Sequence, residues 1–393
     1  MPNFDYIVFV IFICISILLA FKQKSFSICR KYAILLGLFL VCIFINALTS
    51  KYSPGGILTI LGTFFTCIPF VYFILSYNVK MNNNDISKYI NLLVNIIIII
   101  YIICYLETFI FGINRRLTGI LSTSFFFLGF VASLGNQAII LSLYLYKQSH
   151  NKKYLFKILF LAISVFLTFQ LKAIAGLIII AFIYKMFYSS NKTLTILFIV
   201  GCLVIAIPIT LSIPKFKEKI EKYITLYSDV ENVGVARVAL YVKSVEIISD
   251  FFPLGTGQGT YGSIPANMKD SKVYEDYGLS GVWGLSLQHK VNFRMDTHWS
   301  SILGENGALG SFLYISLFLY PVFAIRKVTR KNSQYNNYKF LIVTSSLVIL
   351  EESITLTIPN RFAFIIIYSG LAAIILRSIQ NNVDKYESIA NHN

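Results

Sequence analysis

The residues best suited to chemistry lie late in this 393-residue chain, in the run Asp296-Thr-His298-Trp-Ser-Ser301-Ile-Leu-Gly-Glu305-Asn-Gly307-Ala-Leu-Gly310. On a helix His298, Ser301 and Glu305 fall one and two turns apart and share a face. A histidine and a carboxylate on one face are the residue types of proton-transfer chemistry, and a histidine kept only for packing is the plainer alternative. Upstream, Pro253-Leu-Gly-Thr-Gly-Gln-Gly-Thr-Tyr-Gly262 contains G-x-G-x-x-G at Gly257, Gly259 and Gly262. A dinucleotide site needs a strand before that pattern and a helix after it. Here a helical pattern from about Val235 to Asp250 and then Pro253 come first, so the run reads as a turn where backbone meets backbone, or a ligand, closely. Glu351 and Glu352 sit inside an apolar run, where carboxylates are functional candidates by default. The six cysteines have no zinc or disulfide spacing, and no metal or other cofactor is expected.

The elements that position these residues follow from composition. Hydrophobic residues make up 56% of the chain, charged residues 13%, and mean hydropathy is +0.70, against about 25% charge in soluble domains. The fold class is an all-α polytopic membrane protein. Crossing the hydrocarbon takes roughly 20 apolar residues, and the pattern predicts eleven spans. They are Tyr6–Phe21, Tyr32–Thr49, Ile57–Tyr77, Tyr89–Phe111, Phe125–Tyr146, Leu155–Gln170, Ala173–Tyr188, Thr193–Ile213, Trp299–Ile325, Phe340–Ile358 and Phe362–Leu376. The first lacks a basic leader and a cleavage site, so it is expected to stay.

Lys147, Lys152, Lys153 and Lys157 fall in one short loop, and Arg326, Lys327, Arg330, Lys331 and Lys339 in another. With Lys22, Lys24, Arg30 and Lys31 they mark the cytoplasmic side by the positive-inside rule. The organisation is then a membrane bundle over 1–213, an extracytoplasmic loop over 214–297, further spans over 298–378 and a cytoplasmic tail over 379–393. The outer loop opens with an amphipathic pattern carrying Phe216, Ile220, Tyr223 and Tyr227 on one face. It holds ten basic and ten acidic residues. The net charge of +16 therefore belongs to the rest of the chain: it is a topology signal, and no nucleic acid is implied.

Taken in order, Arg116-Leu-Thr-Gly119, Arg237, Pro253-Leu-Gly-Thr-Gly-Gln-Gly259 and His298 with Glu305, Gly307 and Gly310 resemble the O-antigen polymerase and O-antigen ligase superfamily of bacterial envelope glycosyltransferases. The resemblance covers roughly residues 110 to 376. It implies a multi-pass protein of the bacterial cytoplasmic membrane that transfers a glycan from undecaprenyl diphosphate to a hydroxyl of another glycan. The implied enzyme uses no metal or nucleotide and works beside a flippase and a chain-length regulator. On this likeness Arg116, Lys172 and Arg237, with Gly255, Gly257 and Gly259, bind the donor diphosphate. His298 orients or deprotonates the acceptor hydroxyl, and Glu305 holds the imidazole or is itself the base.

Lys172 stands where the family more often has arginine, and a lysine snorkelling to the interface is the alternative. Trp299 follows the histidine where ligases tend to have asparagine, which favours a polymerase of O-antigen, capsule or exopolysaccharide. A ligase acting on lipid A core or protein is the nearest alternative. A lipid-linked oligosaccharide transporter is the alternative of another class, although the chain has neither the repeat symmetry nor the midplane polarity of one.

Overall fold

The computed structural model describes residues 29–111, 131–168, 170–189, 236–286, 288, 292–355 and 364–390. Every regular element among them is helical. Six helices come first: α1 Arg30–Thr49, α2 Gly56–Ser76, α3 Asn83–Phe111, α4 Val131–Ser149, α5 Lys153–Leu167 and α6 Leu171–Tyr188. After the described start at Ala236 come α7 Ala236–Asp250, the short α8 Lys272–Asp276, α9 His298–Lys331 and α10 Asn336–Glu352. A π turn, Ile365–Gly370, runs directly into α11, Leu371–Ala390.

Five of these helices are long and apolar enough to cross a membrane: Arg30–Thr49, Gly56–Ser76, Asn83–Leu106, Leu171–Tyr188 and His298–Arg330. They turn large apolar side chains outward, Phe44, Leu48, Ile57 and Phe312 among them, a surface that suits lipid and not water. They coincide with the second, third, fourth, seventh and ninth expected spans. The fifth, sixth and tenth correspond to helices of 19, 15 and 17 residues, and the eleventh falls within the run that begins at Phe364. The first and eighth spans, Arg116 and the amphipathic segment after Pro214 lie outside the described residues.

The bundle has two chemically different ends. Cys29, just before α1, contacts the Tyr320 hydroxyl at 2.9 Å. At the far end of the same helix Asn46 reaches the backbone of Leu254 and Glu305. At the Cys29 end, Ser87 bonds Gln148, Tyr188 bonds Asn337, and Lys147 stands over the Tyr188 ring at 4.4 Å. The segment 236–297 occupies the other end and carries its own apolar cluster of Leu240, Ile247, Tyr261, Val273, Tyr274 and Leu285.

The sequence reads 299–325 as one span, but the structure breaks it. Gly307 has φ 61° and ψ −163° inside α9, so the helix is two arms, 298–306 and 308–331. The arms lie side by side: His298 Nε2 is 2.9 Å from the Tyr314 hydroxyl, and Ser311 Oγ donates to the Ile302 carbonyl at 2.9 Å. Sixteen residues of straight helix would separate the first pair by about 24 Å. The long arm alone, at about 36 Å, is ample for a hydrocarbon core of roughly 30 Å. The helical break therefore falls at Gly307, nine residues beyond His298.

The glycine-rich run makes this hairpin closable. A helix ends with unpaired carbonyls and begins with unpaired amides. Here Thr256 N donates to Gly304 O at 2.9 Å, Gly257 N to Glu305 O at 3.0 Å, and Leu309 N to Pro253 O at 3.1 Å. Such contact leaves no room for a side chain. A Cβ on Gly255 would overlap the Gly307 nitrogen, and one on Gly307 would overlap Gly255. Both residues also have positive φ, which costs an L-residue about 1–2 kcal/mol on its own. Gly255→Ala and Gly307→Ala should each destabilise by more than about 2 kcal/mol, read as a lowered Tm in detergent. Gly281→Ala, at a position open to space, should leave Tm within a degree or two of wild type.

Candidate functional site

Three charge placements at the loop end of the bundle run against helix electrostatics. Lys172 is the second residue of α6, where the helix dipole favours anions. Glu351 and Glu352 are the last residues of α10, where it favours cations. Arg237 stands at the described start of α7. The fold brings all of them together. Lys172 is within electrostatic reach of Glu352, Arg237, Glu351 and Asp296, and Arg237 Nη2 pairs with Asp296 Oδ2 at 2.8 Å. Asn136 on α4 donates to Glu352 Oε1 at 2.8 Å and to the Ala173 carbonyl at 3.0 Å, which ties α4, α6 and α10 into one junction. The α7 and α9 segments close over it: Tyr241 donates to Ile354 O at 2.8 Å, and His298 N to Ser353 O at 3.3 Å.

Of the expected site residues, Lys172 and Arg237 thus share one cluster. Arg116 lies outside the described residues. His298 borders the cluster through its backbone, but its side chain is buried and turned inward. Its Nε2 meets the Tyr314 hydroxyl, and the ring packs against Trp299 at 5.3 Å and Tyr314 at 5.6 Å.

Glu305 does not hold the imidazole. Its buried carboxylate accepts from Tyr261 N at 2.9 Å and Ser263 Oγ at 2.6 Å, with the amides of Gly259 and Thr260 also directed at it. Ser301 faces the same loop, at Gly262. The surroundings of Gly255, Gly257 and Gly259 are protein: Gly307, Ser50 and the Leu58 carbonyl with Pro54 and Pro265, respectively. Gln258 locks the run in place, accepting from Thr66 Oγ1 at 3.0 Å and donating to Asn306 Oδ1 at 2.6 Å. The glycine-rich run therefore matches the backbone-on-backbone reading, with the Glu305 carboxyl as the acceptor its amides enclose; burial pushes that carboxyl up to about 8 despite these hydrogen bonds.

Arg294, fully buried, organises the remainder of the segment between α7 and α9. It donates to Leu285 O, to Ala266 O at 3.2 Å and to Asp270 Oδ1 at 2.6 Å, and lies 4.0 Å over the Tyr274 ring. Burial pushes the Tyr274 phenol up to about 12, so it stays neutral and accepts from Gly262 N at 2.9 Å. Sequence reasoning missed Arg294, Asp296 and Asn136 as organising residues. A lone arginine between Phe293 and Met295 reads as an ordinary loop residue, and only the acids Glu351 and Glu352 in their apolar run carried a signal of their own. Among the described residues no group of histidine, cysteine and acidic side chains could hold a metal.

The chain matches no protein-family profile, and no curated protein is similar to it. The likeness to glycan polymerases and ligases therefore rests on the order of the motifs alone.

If Glu305 is the anchor of the glycine-rich run, Glu305→Ala strands at least two buried donors, at a cost on the order of 3 kcal/mol. Limited proteolysis in detergent should then cut near Met268 and Lys269 much faster than in wild type. Glu305→Gln, which keeps an acceptor, should recover most of the resistance. Wild-type resistance in Glu305→Ala would remove this role.

Proposed function

We propose that the protein is a membrane glycosyltransferase that lengthens a bacterial surface polysaccharide. It joins a glycan carried on undecaprenyl diphosphate to the hydroxyl of another lipid-linked repeat unit. The observation that carries this reading is the placing of Lys172 and Arg237 together beside the N-terminus of α6, where Glu351, Glu352 and Asp296 balance them until a ligand arrives. A helix N-terminus with added cations is an anion site, and a diphosphate leaving group needs positive charge as its bond to the sugar breaks. Arginine offers phosphate oxygens a fixed fork and lysine a point charge. The apolar outer faces of the neighbouring helices suit a polyprenyl chain, which would lie in lipid while its diphosphate enters the cluster.

In this reading the cluster faces the extracytoplasmic side of the bacterial cytoplasmic membrane and the basic loops face the cytoplasm. The donor glycan and the acceptor are the substrates, and a flippase and a chain-length regulator are the working partners. Ligation to lipid A core or protein would use the same donor chemistry. A deletion strain separates the two on a polysaccharide gel. Single repeat units on lipid A core support the polymerase, complete but unattached polymer supports the ligase, and an unchanged ladder contradicts both.

Two further outcomes are expected. A cysteine placed after Lys331 should be labelled only from the cytoplasm and one at Lys269 only from outside; labelling of both from one side contradicts the proposed topology. Arg237→Lys should lose kcat/KM by about tenfold or more, nearly as much as Arg237→Ala, because charge without the fork does not restore a charge-assisted contact worth roughly 1.5–3 kcal/mol. Rescue by lysine would make Arg237 a plain anchor for Asp296.

A further inference from the structure

We infer that Glu351 accepts the proton of the attacking glycan hydroxyl, with Glu352 behind it as a positioning residue; this rests on the glycan-transfer reading above.

The reaction needs a proton acceptor, and the two side chains expected to supply it are engaged elsewhere. His298 meets Tyr314, and Glu305 is enclosed by the glycine-rich run. The acid pair ending α10 has what they lack. Glu352 is fully buried, with one oxygen held by Asn136, whereas Glu351 is partly exposed at the same junction. Among the described residues, Oε2 of Glu351, Oε2 of Glu352, Asn136 Oδ1 and Gln170 Oε1 are buried without a hydrogen-bond partner. All four are acceptors: Asn136 and Glu352 meet at the junction of α4, α6 and α10, Glu351 and Glu352 are within reach of Lys172, and Gln170 precedes the first residue of α6. A surplus of buried acceptors calls for a ligand rich in donors, and a saccharide presents hydroxyl groups.

The charges around the pair support the same assignment. Lys172 on α6 and Arg237 on α7 face Glu351, Glu352 and Asp296, so the acids outnumber the cations by one. Tyr101 of α3 also lies near Glu352, with its hydroxyl on the Val131 carbonyl at 2.8 Å. Asp296 is already paired with Arg237, and the two glutamates share Lys172. When a diphosphate draws Lys172 to itself, the Glu351 carboxylate is released from that contact to face the acceptor hydroxyl. The acceptor oxygen then bonds to the anomeric carbon as the bond from that carbon to the phosphate oxygen breaks. The electron pair leaves with the lipid diphosphate, and the hydroxyl proton passes to the Glu351 carboxylate.

The test uses the full-length protein in liposomes with lipid-linked repeat units extracted from the deletion strain. Glu351→Gln should lower kcat by about 100- to 10,000-fold with donor KM within about threefold of wild type. Formate should restore turnover to Glu351→Ala as its concentration rises. Glu352→Gln should move the acid limb of the pH–rate profile, which a purely structural role would leave in place. If Glu351→Gln fails to reach the membrane, Glu351→Asp decides. It keeps the charge but draws the carboxylate back by one methylene, so a large loss of kcat supports the assignment and wild-type kcat overturns it. A folded Glu351→Gln protein with wild-type kcat and pH profile also overturns it while leaving the polymerase reading intact. If wild-type protein joins no repeat units, the reading itself fails.

Discussion

The arrangement depends on one contact, the backbone of Gly255 pressed against the backbone of Gly307. A helix that folds back on itself exposes carbonyls at the end of one arm and amides at the start of the next. Close to a bilayer those groups have little water to bond. The run after Pro253 supplies donors to the first set and an acceptor to the second. It can approach closely enough only because neither chain carries a Cβ at the crossing. The same contact fixes the segment that follows α7 to the helix bundle, so loop and helices form a common scaffold.

From that contact the placement of the charged cluster follows. With the short arm of α9 folded down, His298 N meets the Ser353 carbonyl beyond the end of α10. Tyr241 of α7 bonds Ile354, which brings Arg237 over the start of α6. Each charge is costly where it stands: Lys172 at a helix N-terminus, and two glutamates at a C-terminus. Their mutual attraction offsets part of that cost. Local rules are broken together at one place, with each charge answering another.

Much of this was legible in the sequence. Apolar runs of membrane-spanning length placed α1, α2, α3 and α6, because lipid leaves a helix few alternatives. Lys172 and Arg237 were legible as cations at one end of the bundle. The break at Gly307 was not, since glycines also stand at 304 and 310 and only the φ of Gly307 marks the turn. Glu305 and His298 share a helical face by spacing, yet their partners come from Tyr261 and Ser263 in one case and Tyr314 in the other, all across a fold. The meeting of Lys172 with Glu352 joins residues far apart in the chain, and no local pattern encodes it. Arg294 resembles any loop arginine until Leu285, Ala266 and Asp270 are seen around it.

The central claim is that a bond is made at this cluster. The most direct measurement is to supply purified protein in liposomes with lipid-linked repeat units and to follow saccharide length and free undecaprenyl diphosphate together. The account predicts longer lipid-linked chains, with one lipid diphosphate released for each new linkage. Repeat units that cross the bilayer unchanged, or that are neither lengthened nor released from their lipid, would contradict it.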